Sequence, residues 1–201
     1  MALPKILTSE LDARIAAASA LIFDCDGTLV HSGDVYARAW AEGFRLSGGE
    51  MAEDWYRLRS GLSESVLLDD FEAAHGVVLD REAVVGRMRR TYLERAAEVA
   101  EIAAVTALAR RWHGRLPMAV ASGGPEAIVR PTLAALGLDR LFDTIVTFDD
   151  AREAKPSPAL FLLAAKRMGA APETCLVFED SPQGLQAAAK AGMAAVDVAN
   201  L

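Results

Sequence analysis

Two aspartates one residue apart, Asp24 and Asp26, close an apolar run and are followed by Gly27 and Thr28. Carboxylates beside a hydrophobic stretch are costly unless they are paired, hold a metal or do chemistry. In an extended chain the side chains at i and i+2 leave the same face, so Asp24 and Asp26 can work on one centre while Cys25 points away. Gly27 lets the backbone turn sharply beside them. Three later stretches repeat the design of apolar run, small polar loop and helix start: Ser122-Gly123-Gly124-Pro125, Lys155-Pro156-Ser157-Pro158 and Glu179-Asp180-Ser181-Pro182. Ser157-Pro158 and Ser181-Pro182 each read as an N-cap serine followed by proline at the first helical position, with Pro125 doing the same after Gly124. Helix N-termini offer free N–H groups and partial positive charge, which suits a phosphate.

Taken together the four loops hold four carboxylates, one lysine, one serine hydroxyl after a strand and several glycine amides. Hard oxygen ligands suit Mg²⁺, while Lys155, Ser122 and the loop amides suit an anionic phosphoryl group. A carboxylate facing that phosphorus can attack it and form an aspartyl phosphate. A second acid two residues on can protonate the leaving oxygen and then activate water.

Elements that could bring these loops together are visible in the pattern. Five short apolar runs, at 20–23, 117–121, 144–148, 175–178 and 194–198, alternate with helical stretches apart from one long gap after the first. That alternation predicts an α/β fold with a parallel, Rossmann-like sheet flanked by helices, its strands continuous apolar runs because both faces are buried. The gap at 32–99 shows helical periodicity and no strand signal. Val84, Met88, Tyr92 and Ala96 form a stripe at four-residue spacing, and Asp80 is placed to cap their helix. An all-helical insert after the first strand lies over the edge of the sheet where open α/β folds bind ligands.

Composition narrows the function classes. The chain of 201 residues carries 52% apolar and 24% charged residues and a net charge of −7, with a pI near 5.0. This is the profile of a globular protein with no basic footprint for nucleic acid. No stretch is long and apolar enough to span a membrane, and residues 8–14 read as an amphipathic helix start rather than a secretion signal. Two isolated cysteines, Cys25 and Cys175, make no disulfide framework and read as small buried hydrophobes. The cytoplasm is the expected compartment, and a monomer or weak dimer the expected state.

In order, Asp-x-Asp-Gly-Thr, a serine after the second core strand, a lysine and an acidic pair after the fourth resemble the haloacid-dehalogenase-like phosphotransferase superfamily. The combination of Phe23-Asp24-Cys25-Asp26-Gly27-Thr28 with Phe178-Glu179-Asp180-Ser181-Pro182 is highly specific, and the match runs to Val198. The resemblance implies a catalytic core at 1–32 and 100–201 with a helical cap domain at 33–99. It implies Asp24 as nucleophile and Mg²⁺ ligand, and Asp26 as general acid/base giving the metal its backbone carbonyl. It further implies Ser122, Gly123 and Lys155 as phosphate ligands, Asp180 as a metal ligand, and Glu179 as its direct or water-mediated support. In the cap, Tyr36, Gly61, Ser63 and Glu64 are the candidate substrate contacts.

Within the superfamily the chain is most similar to bacterial sugar-phosphate phosphatases of the fructose-1-phosphate type and to β-phosphoglucomutase. There are departures. His31 stands where the family usually has an acid, Tyr36 lies near a position often occupied by histidine, and Glu64 falls opposite an arginine of the mutase. The expected activity is Mg²⁺-dependent hydrolysis of a small phosphorylated metabolite, a sugar phosphate. The alternatives are a phosphomutase and, more distantly, a non-catalytic phospho-acceptor module. Of the remaining candidates, Asp149-Asp150 reads as a solvated turn with at most a minor role near the metal. His75 and His113 read as structural, Trp40, Trp55 and Trp112 as core, and Arg87, Arg89 and Arg90 as a solvated face from which one could reach a sugar phosphate.

Overall fold

The computed structural model describes residues 5–59 and 61–200. A first helix, α1 (Lys5–Ala17), leads into the central strand β1 (Ala20–Phe23). The other strands of the sheet are β4 (Met118–Ala121), β5 (Thr144–Val146), β6 (Cys175–Glu179) and β7 (Ala194–Asp197). Their order is β5-β4-β1-β6-β7 and every pairing is parallel, with Leu21 opposite Met118 and Leu176, and Phe23 opposite Val120 and Phe178. The two-residue period of a strand divides the core into two layers. Leu21, Phe23, Met118, Val120, Leu176 and Phe178 pack on one face. Ala20, Ile22, Ala119, Ala121, Cys175 and Val177 pack on the other. Helices α6 (Ala103–Trp112) and α7 (Glu126–Ala135) cover the first face with Val105, Ala109, Ile128 and Leu133, joined by Leu11 and Ile15 of α1. The second is covered by α9 (Ala159–Met168) and α10 (Pro182–Lys190). A short helix, α8 (Phe148–Ala151), follows β5. No helix among the described residues is long and apolar enough to cross a membrane.

Four helices fill the gap after β1: α2 (Gly33–Arg45), α3 (Glu53–Arg57), α4 (Glu64–His75) and α5 (Arg81–Glu94). They share an apolar centre in which Trp40, Phe44 and Phe71 are buried and the rings of Phe44 and Phe71 stack at 3.7 Å. Asp80 caps α5 by accepting from the Ala83 N–H at 3.1 Å, and Val84, Met88 and Tyr92 are fully buried.

Several local details differ from the sequence reading. A two-stranded antiparallel ribbon of β2 (Val30–His31) and β3 (Ala100–Glu101) brackets the four helices, with Val30 opposite Glu101 and His31 opposite Ala100. Two residues are too few for a strand pattern to show in sequence. β5 stops before Phe148 because Thr147 and Asp150 form a capping box that starts α8. Ser181 is the N-cap and Pro182 the first residue of α10, as expected, but Pro125 and Pro158 occupy the capping positions themselves. Ser157 instead donates to Glu153 at 2.6 Å and accepts from the Ala159 N–H at 3.3 Å.

Candidate functional site

Three of the polar loops leave the C-terminal ends of β1, β4 and β6, and the Lys155 loop follows β5 by way of α8, so all four meet at one edge of the sheet. Asp24 is held there by its own N–H, which donates to the Phe178 carbonyl at 2.9 Å and extends the pairing of β1 with β6. The chain then turns: Leu29 and Val30 donate to the Cys25 carbonyl at 2.8 and 3.0 Å. Gly27 sits at a φ of 87°, and a side chain there would collide with the Asp180 carboxylate. Only glycine allows both the turn and the approach of the two acidic loops. Thr28, fully buried, donates to Asp180 Oδ1 at 2.9 Å.

Glu179 is the most constrained acid. It is 1% exposed, its Oε1 accepts from the Ser181 N–H and hydroxyl at 3.0 and 2.7 Å, and its Oε2 accepts from Lys155 Nζ at 2.6 Å. Lys155 also donates to Asp24 Oδ1, so one ammonium bridges two carboxylates. Asp26 accepts from the buried Ser32 hydroxyl at 2.5 Å. Ser122 is fixed by its N–H to the Val146 carbonyl at 2.9 Å, and its Oγ accepts from the Gly124 N–H at 3.0 Å.

Electrostatics follow from that burial. Desolvation pushes the Asp24 carboxyl well above the usual carboxylate range; Glu179 and Asp180 push the same way and Lys155 opposes them. Burial raises Asp26, against the hydrogen bond from Ser32. Burial also raises Asp180, with Thr28 opposing and Glu179 adding to the shift. Desolvation works to lower Lys155, but Asp24 and Glu179 outweigh it and hold the ammonium protonated. One lysine among two buried acids, Asp24 and Glu179, and two half-buried ones, Asp26 and Asp180, leaves negative charge to be offset. Carboxylate oxygens of Asp24, Glu179 and Asp180 lie within 4.8 Å of one another. Clustered hard oxygen donors with excess negative charge fit a divalent cation of the Mg²⁺ type.

Each sequence-predicted site residue lines a single cavity of about 410 Å³: Asp24, Asp26, Ser122, Gly123, Lys155, Glu179 and Asp180 from the sheet edge, Tyr36 and Glu64 from the inserted helices, and Gly61 and Ser63 from just before α4. His31 lines it as well. Sequence reasoning missed Ser32 and Thr28 as supports of Asp26 and Asp180; both lie in or near the Asp-x-Asp-Gly-Thr run, where a hydroxyl is a hydrogen-bond signal. Tyr56 was also missed, and Trp40, read as core, is both core and cavity wall.

Asp149 and Asp150 are not cavity residues. Asp149 accepts from the Glu126 N–H at 2.6 Å, and Asp150 accepts from the Thr147 N–H at 2.8 Å and pairs with Arg167 at 2.5 Å. His75 and His113 bond backbone carbonyls of Phe71 and Leu141. Arg87 pairs with Glu42, and Arg89 with Glu64.

Comparison with known proteins gives consistent likenesses. Residues 18–192 match the family described as haloacid dehalogenase-like hydrolase. The fructose-1-phosphate phosphatase YqaB of Escherichia coli K12 is 35% identical over 187 residues, 89% of this chain and 95% of that protein. The crystal structure of CbbY from Rhodobacter sphaeroides in complex with phosphate superposes with a TM-score of 0.78 at 26% identity, covering 89% of this chain and 84% of that one. A β-phosphoglucomutase from Clostridium difficile shares the fold, with a TM-score of 0.78 at 20% identity over 89% of this chain and 83% of its own.

Proposed function

The chain belongs to the haloacid dehalogenase-like hydrolase family, and from that premise we propose that it is a Mg²⁺-dependent phosphatase acting on a small sugar phosphate. The observation that carries this reading is the convergence of Asp24, Asp26, Ser122 and Lys155 on one cavity beside the acidic cluster.

In the proposed reaction Lys155, the Ser122 hydroxyl and the Gly123 amide hold the phosphoryl oxygens. Asp24 attacks phosphorus with the carboxylate oxygen that Lys155 leaves free. Its bond to phosphorus forms as the bond to the leaving oxygen breaks, giving an aspartyl phosphate. Asp26, kept ready to carry a proton by its burial, protonates the leaving oxygen. It then takes a proton from the water that attacks the intermediate, returning Asp24 and inorganic phosphate. Asp24, Asp180 and the Asp26 carbonyl would hold Mg²⁺, with Glu179 behind them bracing Lys155. When bound, the ion offsets the charge of the phosphoryl group and the carboxylates. Residues 33–99 act as a cap domain on a core of 1–32 and 100–201, and their closure over the cavity excludes water.

The test is phosphate release from a panel of phosphorylated metabolites with and without Mg²⁺, for the natural chain and for Asp24→Asn. Turnover should need the metal and vanish in the variant, with the melting curve still cooperative. Wild-type activity in Asp24→Asn would sink the mechanism. Conversion of glucose 1-phosphate to the 6-phosphate without phosphate release would favour a mutase. A long-lived phosphorylated Asp24 with negligible hydrolysis would favour an acceptor module.

A further inference from the structure

The inserted helices contribute two charged residues to the cavity wall, Asp34 and Glu64, and both are acids. Lys155 is the only lysine or arginine among the described residues lining the cavity, and Asp24 and Glu179 already bind it. A second anionic group on a substrate therefore finds no lysine or arginine on the side of the wall that the inserted helices build; His31, from β2, is the one other group in the lining that can carry positive charge.

Glu64 is held in a fixed orientation. Its two oxygens accept from Arg89 Nε at 3.1 Å and Nη2 at 2.8 Å, a bidentate pair with side chains 27% and 36% exposed. Arg89 comes from α5 and is not itself among the residues lining the cavity. A carboxylate clamped in this way keeps lone pairs for hydroxyl donors on a ligand but repels an anion. Arg89, for its part, spends its planar fork on Glu64; with the acid neutralised, that fork would present unpaired donors of the kind that bind phosphate and carboxylate.

We infer that Glu64, clamped by Arg89, determines the leaving-group class: it admits an uncharged, hydroxyl-bearing alcohol and rejects one that carries a second phosphate or a carboxylate. This rests on the phosphatase reading above and adds a selectivity that the reading does not contain.

The experiment compares kcat/KM for the better of fructose 1-phosphate and glucose 6-phosphate with that for fructose 1,6-bisphosphate and 6-phosphogluconate, using the full chain with Mg²⁺. p-Nitrophenyl phosphate serves as a reference ester. The natural chain should prefer the neutral leaving group by about tenfold or more, as expected for a like-charge contact. Glu64→Gln should narrow that preference by about tenfold, chiefly through a lower KM for the anionic substrates. Arg89→Gln, which leaves Glu64 charged and unclamped, should keep or widen it. Unchanged ratios in Glu64→Gln, or a shift in the same direction in both variants, would overturn the inference. If Glu64→Gln does not fold, a narrowed ratio in Arg89→Gln overturns it and a kept or widened one upholds it. Failure of the natural chain to hydrolyse any of these esters, p-nitrophenyl phosphate included, would remove the phosphatase reading and this inference with it. Turnover with unchanged ratios removes the inference alone.

Discussion

Gly184 offers a sharp test because two ordinary expectations for it have opposite signs. It lies in the first turn of α10, where replacing glycine by alanine normally stabilises a helix by about 1 kcal/mol. A Cβ built there, however, would fall well inside 3.0 Å of Glu179 Cδ, Cγ and Oε2. Glu179 has nowhere to retreat: it is 1% exposed and is tied to Ser181 and Lys155. Overpacking of this kind costs about 1–3 kcal/mol, and a weakened charge-assisted hydrogen bond costs about 1.5–3 kcal/mol more. The net loss should be about 2 kcal/mol or greater, which for a chain of this size lowers Tm by roughly 4–8 °C. Phosphate release should fall with it, because displacing Glu179 moves Lys155. Gly86→Ala is the matched control. In α5 the nearest group to its Cβ is Arg90 Nη1 at 3.6 Å, an ordinary contact, so stability should rise by about 1 kcal/mol. Thermal unfolding of both variants, with turnover of any accepted ester, decides the matter. A Gly184→Ala protein that melts at or above the natural temperature and retains full turnover would refute the account of Glu179 as an immovable brace.

Other expectations follow from neighbouring contacts. Ser32→Ala removes the hydrogen bond that holds Asp26 down against the upward push of burial. If Asp26 is the proton carrier, its limb of the kcat/KM–pH profile should move to higher pH, and kcat should drop by about tenfold or more as it loses its orientation; an unmoved profile would show that Ser32 only fills space. If Asp24 and Asp180 hold the metal, Mg²⁺ at a hundredfold above its Kd should stabilise the protein by about 2.7 kcal/mol. That is a rise in Tm of roughly 5–11 °C, and Asp180→Asn should lose most of it. An equal rise in the variant would place the ion elsewhere.

Strand positions were legible because buried parallel strands leave no polar alternation to misread: 20–23 was read to the residue, and 175–178 ended one short of Glu179. Chemistry at the strand ends was legible for the related reason that a costly group, Asp24 or Lys155, beside an apolar run needs explaining. What failed to show were features set by which side-chain partner wins, near in sequence or far. The 144–148 run reads as strand through Phe148, yet Thr147 and Asp150 cap a helix there and Arg167 holds Asp150 from α9. Arg89 reads as a solvated face residue until Glu64, 25 positions away, is brought beside it. Ser157 and Pro158 carry a valid capping pattern, but Glu153 competes for the serine hydroxyl and the cap shifts by one residue. At Arg89 a tertiary contact outweighed the local preference, and at Thr147 and Ser157 a competing side chain three or four residues away did.

The small ribbon of β2 and β3 has an implication for how this molecule can change over time. Val30 faces Glu101 and His31 faces Ala100, so the chain leaves for its helical excursion and comes back through the same doorway. Ends that meet in this way decouple the length and composition of what lies between them from the sheet, since β1 and β4 pair whatever the excursion contains. Exchanging residues 33–99 for another helical segment, with Ser32 kept beside Asp26, should preserve Asp24, Ser122, Lys155 and Asp180 in place. The hydrolytic machinery and the choice of alcohol can then be inherited separately, one kept constant while the other is rewritten.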